Sequence, residues 1–129
     1  MANRANDWLN QAIRDLGQAK DSYAAGRYQW VCFSAQQAAE KAVKALHLHL
    51  GQEAWGHVVA RLLQELPKDV NVPADLVDIA HVLDNFYIPA RYPYAHPAGP
   101  PFEHYGPIQG RQAIEYASQI IEFGRSQMA

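Results

Sequence analysis

The stretch YQWVCFSAQQAAEKAVKALHLHL, residues 28–50, decides the fold. Its apolar residues recur at spacings of three and four, which is the pattern of a helix with one buried face. Most of them are alanine, and small side chains let a neighbouring helix approach closely. We therefore predict a helix from Tyr28 to Leu50 at the centre of a helical bundle, ended by Gly51. The predicted buried stripe comprises Val31, Ala35, Ala38, Ala39, Ala42, Ala45 and Leu46.

The segment before this central helix carries a second apolar stripe. From Asn6 to about Ala25 the apolar residues again recur at helical spacing, and Gly26 supplies a stop. Because so few residues separate the two helices, we predict that they pack side by side in opposite directions as a helical hairpin. The stripe of the first helix comprises Trp8, Leu9, Ala12, Ile13, Leu16, Ala19 and Tyr23.

Three further helices are predicted downstream. A short helix spans His57 to Leu66 and ends before Pro67, a fourth begins at Pro73, and the last runs from about Ile108 to Arg125. Their predicted inward residues are Val58, Leu62, Leu63 and Leu66 on the third helix, Leu76, Ile79, Ala80, Leu83 and Tyr87 on the fourth, and Ile114, Ala117, Ile120, Ile121 and Phe123 on the last.

These elements define the predicted fold class. No window alternates apolar and polar residues with period two, so no sheet is expected. We predict an all-α fold, an up-and-down four-helix bundle with an additional short helix and a long proline-rich loop before the last helix. Residues 1–129 are expected to form a single domain with one core.

Composition excludes several classes of protein. The chain carries a formal net charge of −2, so no global positive field attracts nucleic acid and any contact with it must be local. The single cysteine, Cys32, excludes an intramolecular disulfide framework and a cysteine-based zinc cluster. The N-terminus lacks the apolar core of a secretory signal, and no run approaches the roughly 18 apolar residues that span a bilayer. We expect a cytoplasmic protein with no membrane partner.

The chain changes character between Tyr87 and Pro107. This segment holds six of the eight prolines and four of the seven tyrosines, so it is not an α-helix and is unusually aromatic for a connection. Loops of about 20 residues inside a compact domain are usually functional or disordered, and disordered segments are poor in aromatic residues. We therefore predict a functional loop.

Four residues separate Arg91 from His96 within this loop. Phosphodiester cleavage at neutral pH needs a proton-transfer group with a pKa near 7 and a fixed cation for the charge of the transition state, and histidine and arginine supply them. The spacing alone leaves a structural alternative open. In that alternative Arg91 pairs with a carboxylate such as Asp84 or Glu103, and His96 hydrogen-bonds to loop backbone.

The loop tyrosines suit either of two roles. Tyr92 and Tyr94 can stack on nucleic-acid bases or attach the loop to the bundle, whereas packing is favoured for Tyr87. His57 follows Gly56, where it either caps the third helix or reaches the loop.

We expect ordinary structural roles for the polar residues of the central helix. His47 and His49 are two apart and point to different faces, which does not suit chelation, so we expect both to be partly solvated. Glu40 and Lys44 are spaced for a solvated ion pair, and Gln36 is expected at a helix edge. Because no histidine or cysteine recurs with carboxylates at metal-ligand spacing, we predict neither a metal nor another cofactor.

Four stretches of the chain form a specific combination. They are Asp7-Trp8-Leu9 with Asp15-Leu16, the run CFSAQQAAEKAVKAL from Cys32 to Leu46, Gly56-His57, and Tyr87-Ile88-Pro89-Ala90-Arg91-Tyr92-Pro93. Together they resemble the HEPN family of small prokaryotic helical proteins, and the resemblance covers nearly the whole chain. The run in the central helix followed by Tyr-Ile-Pro-x-Arg-Tyr-Pro is its most specific part.

The resemblance implies a helical bundle that is usually homodimeric and often encoded beside a minimal nucleotidyltransferase as a toxin–antitoxin pair. Many family members are metal-independent ribonucleases with an Arg-x4-6-His motif, and the two motifs of a dimer share one cleft. Carried onto this chain, Arg91 holds the scissile phosphate and stabilises its charge. His96 is then the general acid–base residue that acts on the ribose 2′-hydroxyl or the leaving oxygen.

The predicted function is therefore binding of RNA or nucleotide phosphates at Arg91 and His96, with metal-independent cleavage of RNA as a toxin. The predicted binding residues beside this pair are Tyr92, Tyr94, His57 and Lys44. The family also contains members that only bind nucleotides or act as accessory domains. The alternative is therefore a non-catalytic nucleotide-binding or docking module for a nucleotidyltransferase partner.

Overall fold

Five amphipathic segments of the chain fold into α-helices, as the computed structural model of residues 3–129 shows. Two short 3-10 helices, Pro93–Ala95 and Pro101–His104, interrupt the connection before the last helix, and residues 3–129 contain no strand. The all-α fold class is therefore confirmed. The helices are α1 (Ala5–Ala24), α2 (Tyr28–His49), α3 (Val59–Gln64), α4 (Ala74–Asp84) and α5 (Pro107–Met128).

The first two helices form the predicted hairpin. Each ends at a glycine with a positive φ, 73° at Gly26 and 79° at Gly51, a backbone conformation that other residues rarely adopt. Asn3, just before α1, donates its side-chain N–H to Leu48 O near the end of α2 at 2.7 Å. The start of one helix therefore lies beside the end of the other, and the two run in opposite directions.

Helix α2 lies at the centre of the bundle, as its alanine-rich face predicts. It packs against each of the other four α-helices, with α1 and α5 along most of its length. The small residues permit this close approach: a Cβ added at Gly124 of α5 would lie only 3.3 Å from Ala42 O. The fully buried residues of the predicted α2 stripe are Val31, Ala35, Ala38, Ala39, Ala42, Ala45 and Leu46.

Helix α3 begins two residues later than predicted. It starts at Val59 rather than His57, so Val58 is exposed and Val59 takes the inward position. The reason is a cap from α4, which the local sequence does not reveal. Both carboxylate oxygens of Asp84 accept N–H groups from the first turn of α3, Val59 N at 2.6 Å and Ala60 N at 3.1 Å.

The other differences concern the edge of the core. Tyr87 lies beyond α4 in a turn, because that helix ends at Asp84. Ile13 of α1 is exposed, and Ile114 and Phe123 of α5 are only half-buried. Both outer helices bury a narrower face of small residues against α2 than their apolar patterns suggest. No helix within residues 3–129 is long and apolar enough to cross a membrane.

Candidate functional site

The chain forms a tight turn after α4, here named the Tyr87–Arg91 turn. Arg91 donates its backbone N–H to Ile88 O at 3.0 Å, and its side-chain Nε–H to Tyr87 O at 2.8 Å. Pro89 restricts the backbone inside the turn, and Ala90 is buried against the bundle. The Arg91 guanidinium is therefore attached to a backbone that is itself held in place.

Aromatic rings surround this guanidinium. Its central carbon lies 4.3 Å from the ring centroid of Phe33, 4.6 Å from that of Tyr87 and 5.1 Å from that of Tyr92. A planar cation over aromatic faces is attracted by the ring electrons, and arginine suits this arrangement better than lysine. The rings fix the plane of the guanidinium without neutralising its charge.

The predicted alternative in which Arg91 pairs with a carboxylate is wrong. Within residues 3–129 no carboxylate oxygen lies within 4.0 Å of an Arg91 nitrogen. Asp84 is occupied as the cap of α3, and Glu103 makes no ion pair with any described residue. The two terminal nitrogens of Arg91 therefore remain open to a ligand.

The rings around Arg91 belong to a longer aromatic row, consisting of Trp30, Phe33, Tyr87, Tyr92 and Tyr94. Trp30 meets Phe33 edge to face at 5.9 Å, and Tyr92 stacks on Tyr94 at 5.7 Å. Tyr87 is half-buried against Phe33, in line with its predicted packing role. Tyr94, by contrast, is 78% exposed at one end of the row and Trp30 is 44% exposed at the other. The row therefore has exposed ring surface at both of its ends.

His96 attaches the second half of the loop to the same turn. Its Nε2–H donates to Pro89 O at 2.6 Å, which is the backbone bond of the predicted alternative. Because a carbonyl oxygen only accepts, the proton of the neutral ring is on Nε2 and the lone pair is on Nδ1. The ring stacks against His104 with centroids 4.2 Å apart, and His104 Nε2–H donates to Ala98 O at 2.7 Å.

His57 reaches the loop instead of capping α3, where Asp84 takes that role. Its ring stacks on Tyr87 with centroids 4.4 Å apart and an interplanar angle of 18°. Its Nδ1 lies 3.0 Å from Glu40 Oε1, and its backbone carbonyl accepts an N–H from Gln36 at 3.1 Å. Two side chains of α2 therefore hold this loop residue against the Tyr87–Arg91 turn.

These contacts correct the expectations for the polar residues of α2. Glu40 is only 4% exposed, and its carboxylate accepts hydrogen bonds from His57, Gln36 and Lys44, the last at 3.1 Å. The pair with Lys44 is therefore buried rather than solvated, and Gln36 is buried rather than at an edge. Of these partners only His57 lies outside α2, and the local pattern does not predict the path of residues 51–58 that brings it to Glu40.

Lys44 lies on the other side of Glu40 from His57. Its ammonium is 5.9 Å from the ring centroid of Trp8, and it lines a surface cavity of about 240 Å³ together with Trp8 and Trp55. Lys44 is therefore linked to the predicted site through Glu40. The structure brings His57, Arg91, Tyr92 and Tyr94 into one connected group and joins His96 to it through Pro89.

The expectation that His47 is partly solvated is wrong. The ring is buried, its Nε2–H donates to Leu62 O at 2.8 Å, and its Nδ1 lies 3.1 Å from Gln52 Oε1. His49 is exposed, as expected. His47 is thus a structural residue that connects α2 to α3, and within residues 3–129 no three histidine, cysteine or acidic side chains converge as metal ligands.

Burial raises the pKa of three groups near the core. It raises the pKa of the Cys32 thiol to about 12, so the thiol is protonated at neutral pH. Burial also raises the pKa of the Tyr105 hydroxyl, and an electrostatic contribution from Cys32 raises it further. Burial raises the pKa of Asp84 as well, against the opposing effect of the N–H groups of Ala60 and Val59.

The fold and these residues define a class of protein: a small helical bundle that carries an arginine and histidines on the turn and loop after α4. The sequence model of the HEPN domain matches residues 5–127. The chain therefore belongs to the HEPN domain family.

Solved structures agree with this assignment. TT1696 from Thermus thermophilus is 52% identical with a TM-score of 0.96, and the match covers 98% of this chain and 99% of that one. ST0689, described as an archaeal HEPN homologue, is 38% identical with a TM-score of 0.85 over 99% and 100% of the two chains. A HEPN domain protein from Thermotoga maritima is 38% identical with a TM-score of 0.76 over 93% and 95%. No curated protein matches the sequence.

Proposed function

We propose that this HEPN protein binds the phosphates of RNA at Arg91 and cleaves RNA without a metal ion. One observation carries the proposal: Arg91 has no carboxylate partner within residues 3–129, yet it is fixed within an exposed row of aromatic rings. A cation needed only for stability is normally paired with an acidic side chain. A cation between ring faces suits a ligand that has both phosphates and bases.

The geometry supports binding of a single strand. The two terminal nitrogens of a guanidinium donate parallel hydrogen bonds to two phosphate oxygens. The exposed ring of Tyr94, which stacks on Tyr92, accepts an unpaired base. Such stacking contributes about 1–3 kcal/mol per base. Because the chain has a net charge of −2, affinity depends on this local site rather than on a general positive field.

The cleavage step uses Arg91 and His96. The lone pair on His96 Nδ1 removes the proton of the ribose 2′-hydroxyl, and the 2′-oxygen then attacks the adjacent phosphorus. The bond from phosphorus to the 5′-oxygen breaks and that oxygen takes up a proton, which gives a 2′,3′-cyclic phosphate and a 5′-hydroxyl. Arg91 stabilises the negative charge that develops on the phosphate oxygens.

The proposal includes a homodimer. Two exposed large apolar side chains near the start of α5 support it, because neighbouring exposed apolar groups on a small protein often mark an interface. They are Phe102 and Ile108, which lie outside the aromatic row. By its family membership, the proposal extends to a toxin paired with a minimal nucleotidyltransferase as antitoxin.

Incubation of the purified protein with single-stranded RNA and with tRNA, in the presence of EDTA, tests this function. The wild type is expected to cleave RNA and leave 2′,3′-cyclic phosphate ends. Arg91→Ala and His96→Ala are expected to reduce the rate by about 100-fold or more. Arg14→Ala, on the exposed side of α1, serves as the control and is expected to retain the rate.

Equal cleavage by all four proteins, or cleavage by none, contradicts the catalytic proposal. Binding of RNA or a nucleotide without turnover favours the non-catalytic alternative, a nucleotide-binding or docking module. Light scattering of the same preparation gives the molar mass and is expected to show two chains.

A further inference from the structure

His57 and Glu40 form a carboxylate–histidine pair outside the Arg-x4-His motif. The Nδ1 of His57 lies 3.0 Å from Glu40 Oε1, and the Glu40 side chain is only 6% exposed. The imidazole itself is 52% exposed, and within residues 3–129 its Nε2 has no hydrogen-bond partner. One edge of the ring is therefore anchored in the protein, and the other faces outward.

Two further side chains of α2 hold the His57–Glu40 pair in place. Gln36, which is fully buried, donates to the backbone carbonyl of His57 and also to Glu40 Oε1. Lys44 holds the second oxygen of the same carboxylate at 3.1 Å. The carboxylate therefore cannot rotate away, and it fixes both the position of the ring and the proton on Nδ1.

The pair lies at the same turn as the phosphate site. The ring of His57 stacks on Tyr87 at 4.4 Å, and the guanidinium carbon of Arg91 lies 4.6 Å from the centroid of that same ring. His96 is attached to the turn through Pro89 O. The Tyr87–Arg91 turn thus connects two histidines and one arginine within a single chain.

We propose that His57 is the general acid of the cleavage reaction and that Glu40 is its positioning residue. This inference rests on the proposed function. His57 Nε2–H donates its proton to the 5′-oxygen as the bond between that oxygen and phosphorus breaks. His96 Nδ1 has by then accepted the proton of the 2′-hydroxyl. In each turnover His96 therefore gains one proton and His57 loses one. Exchange with water restores both rings.

The different partners of the two histidines assign the two roles. The Glu40 carboxylate holds His57 by Nδ1 and leaves Nε2 facing outward, which orients that ring to donate a proton from Nε2. The Pro89 carbonyl holds His96 by Nε2–H, which leaves the lone pair of Nδ1 to accept a proton.

A substrate with a good leaving group tests the assignment. Uridine 3′-(4-nitrophenyl phosphate) releases 4-nitrophenolate, which departs without a proton, whereas a 5′-alkoxide of RNA needs one. His57→Asn is expected to slow cleavage of RNA by about 100-fold or more but to change cleavage of the activated substrate only a few-fold. His96→Asn is expected to slow both reactions. His49→Asn, an exposed histidine at the end of α2, is the matched control.

Glu40 is tested with the same two substrates. Glu40→Ala removes the anchor of His57 Nδ1 and is expected to slow cleavage of RNA while changing cleavage of the activated substrate only a few-fold. Glu40→Gln keeps an oxygen that accepts the N–H of His57 and is expected to slow cleavage of RNA less than Glu40→Ala does.

Three outcomes overturn the inference. If His57→Asn slows both substrates equally, His57 is structural, and if it slows neither, His57 has no part in the reaction. In both cases the dependence of the wild-type reaction on Arg91 and His96 leaves the proposed function intact. If the wild type cleaves neither substrate, the proposed function fails and the inference fails with it.

Discussion

At the scale of single residues, Asp84 shows how tertiary contacts alter ordinary chemistry. Its carboxylate caps α3 through the N–H groups of Val59 and Ala60. Burial nevertheless raises the pKa of this carboxyl, and the nearby charge of Glu40 adds to the increase, while the two N–H groups and His81 oppose it. The folded protein therefore binds this proton more tightly than the unfolded chain does.

The raised pKa predicts a pH-dependent contribution to stability. A group of this kind stabilises the fold fully below its unfolded pKa of about 3.9, and this contribution is lost as the pH rises through the folded pKa. Asp84→Ala is expected to lower the free energy of unfolding by about 1 kcal/mol at pH 4 through loss of the cap, and by less at pH 7. Urea unfolding of both proteins at several pH values measures the difference. A difference that grows towards pH 7 shows that the pKa is lowered instead.

The sequence indicates Arg91 and His96 as candidate site residues by their residue types and spacing, but it does not indicate the pair of Glu40 and His57. A helical stretch with Glu40 and Lys44 one turn apart looks like a solvated surface. Its burial depends on the path of residues 51–58 across α2, and contacts between residues 17 apart do not follow from periodicity. His47 was misjudged for the same reason, since its main partner, Leu62, lies 15 residues away.

At the scale of helices, the approach of α5 to α2 depends on one glycine. A Cβ at Gly124 would lie 3.3 Å from the backbone oxygen of Ala42, which cannot rotate away as a side chain can. Gly17 of α1 provides the contrast, because a Cβ there meets no atom within 4 Å. Both glycines lie within helices, but Gly124 is in close contact with a neighbouring helix and Gly17 faces open space.

Substitution of each glycine tests this account of the packing. Gly124→Val is expected to lower the free energy of unfolding by about 1–3 kcal/mol, because the helices must separate. Gly17→Ala is expected to raise it by roughly 0.5–1 kcal/mol, since alanine favours the helix and finds free space. Urea denaturation measures both values. Equal tolerance of the two changes contradicts a close contact between α2 and α5.

Helices α1 and α2 were predicted within one residue at each end, because their periodicity is long and glycines end them. The shorter α3 and α4 were predicted less well, since a side chain from one helix determines where the other begins. The composition of the aromatic loop predicts that it is functional. Its attachment to Tyr87 and Pro89 required the structure.

At the scale of the whole molecule, the fold separates stability from function. The core of α1, α2 and α5 is built from small apolar residues, and the candidate site lies on the turn and loop that join α4 to α5. With a net charge of −2, the protein has no general positive field, so the proposed binding of RNA depends on one cation and the rings around it. The proposed function therefore depends on a phosphate site at Arg91.

Fluorescence anisotropy tests for this phosphate site by measuring equilibrium binding of a 2′-O-methyl oligonucleotide, which cannot be cleaved because its 2′-oxygen is blocked. Arg91→Ala is expected to weaken binding by about 10-fold or more and to lower the slope of log affinity against log salt by about one. Arg14→Ala is expected to retain wild-type affinity, and all three proteins are expected to melt within a few degrees of one another. Wild-type affinity and an unchanged salt slope in Arg91→Ala would contradict the account.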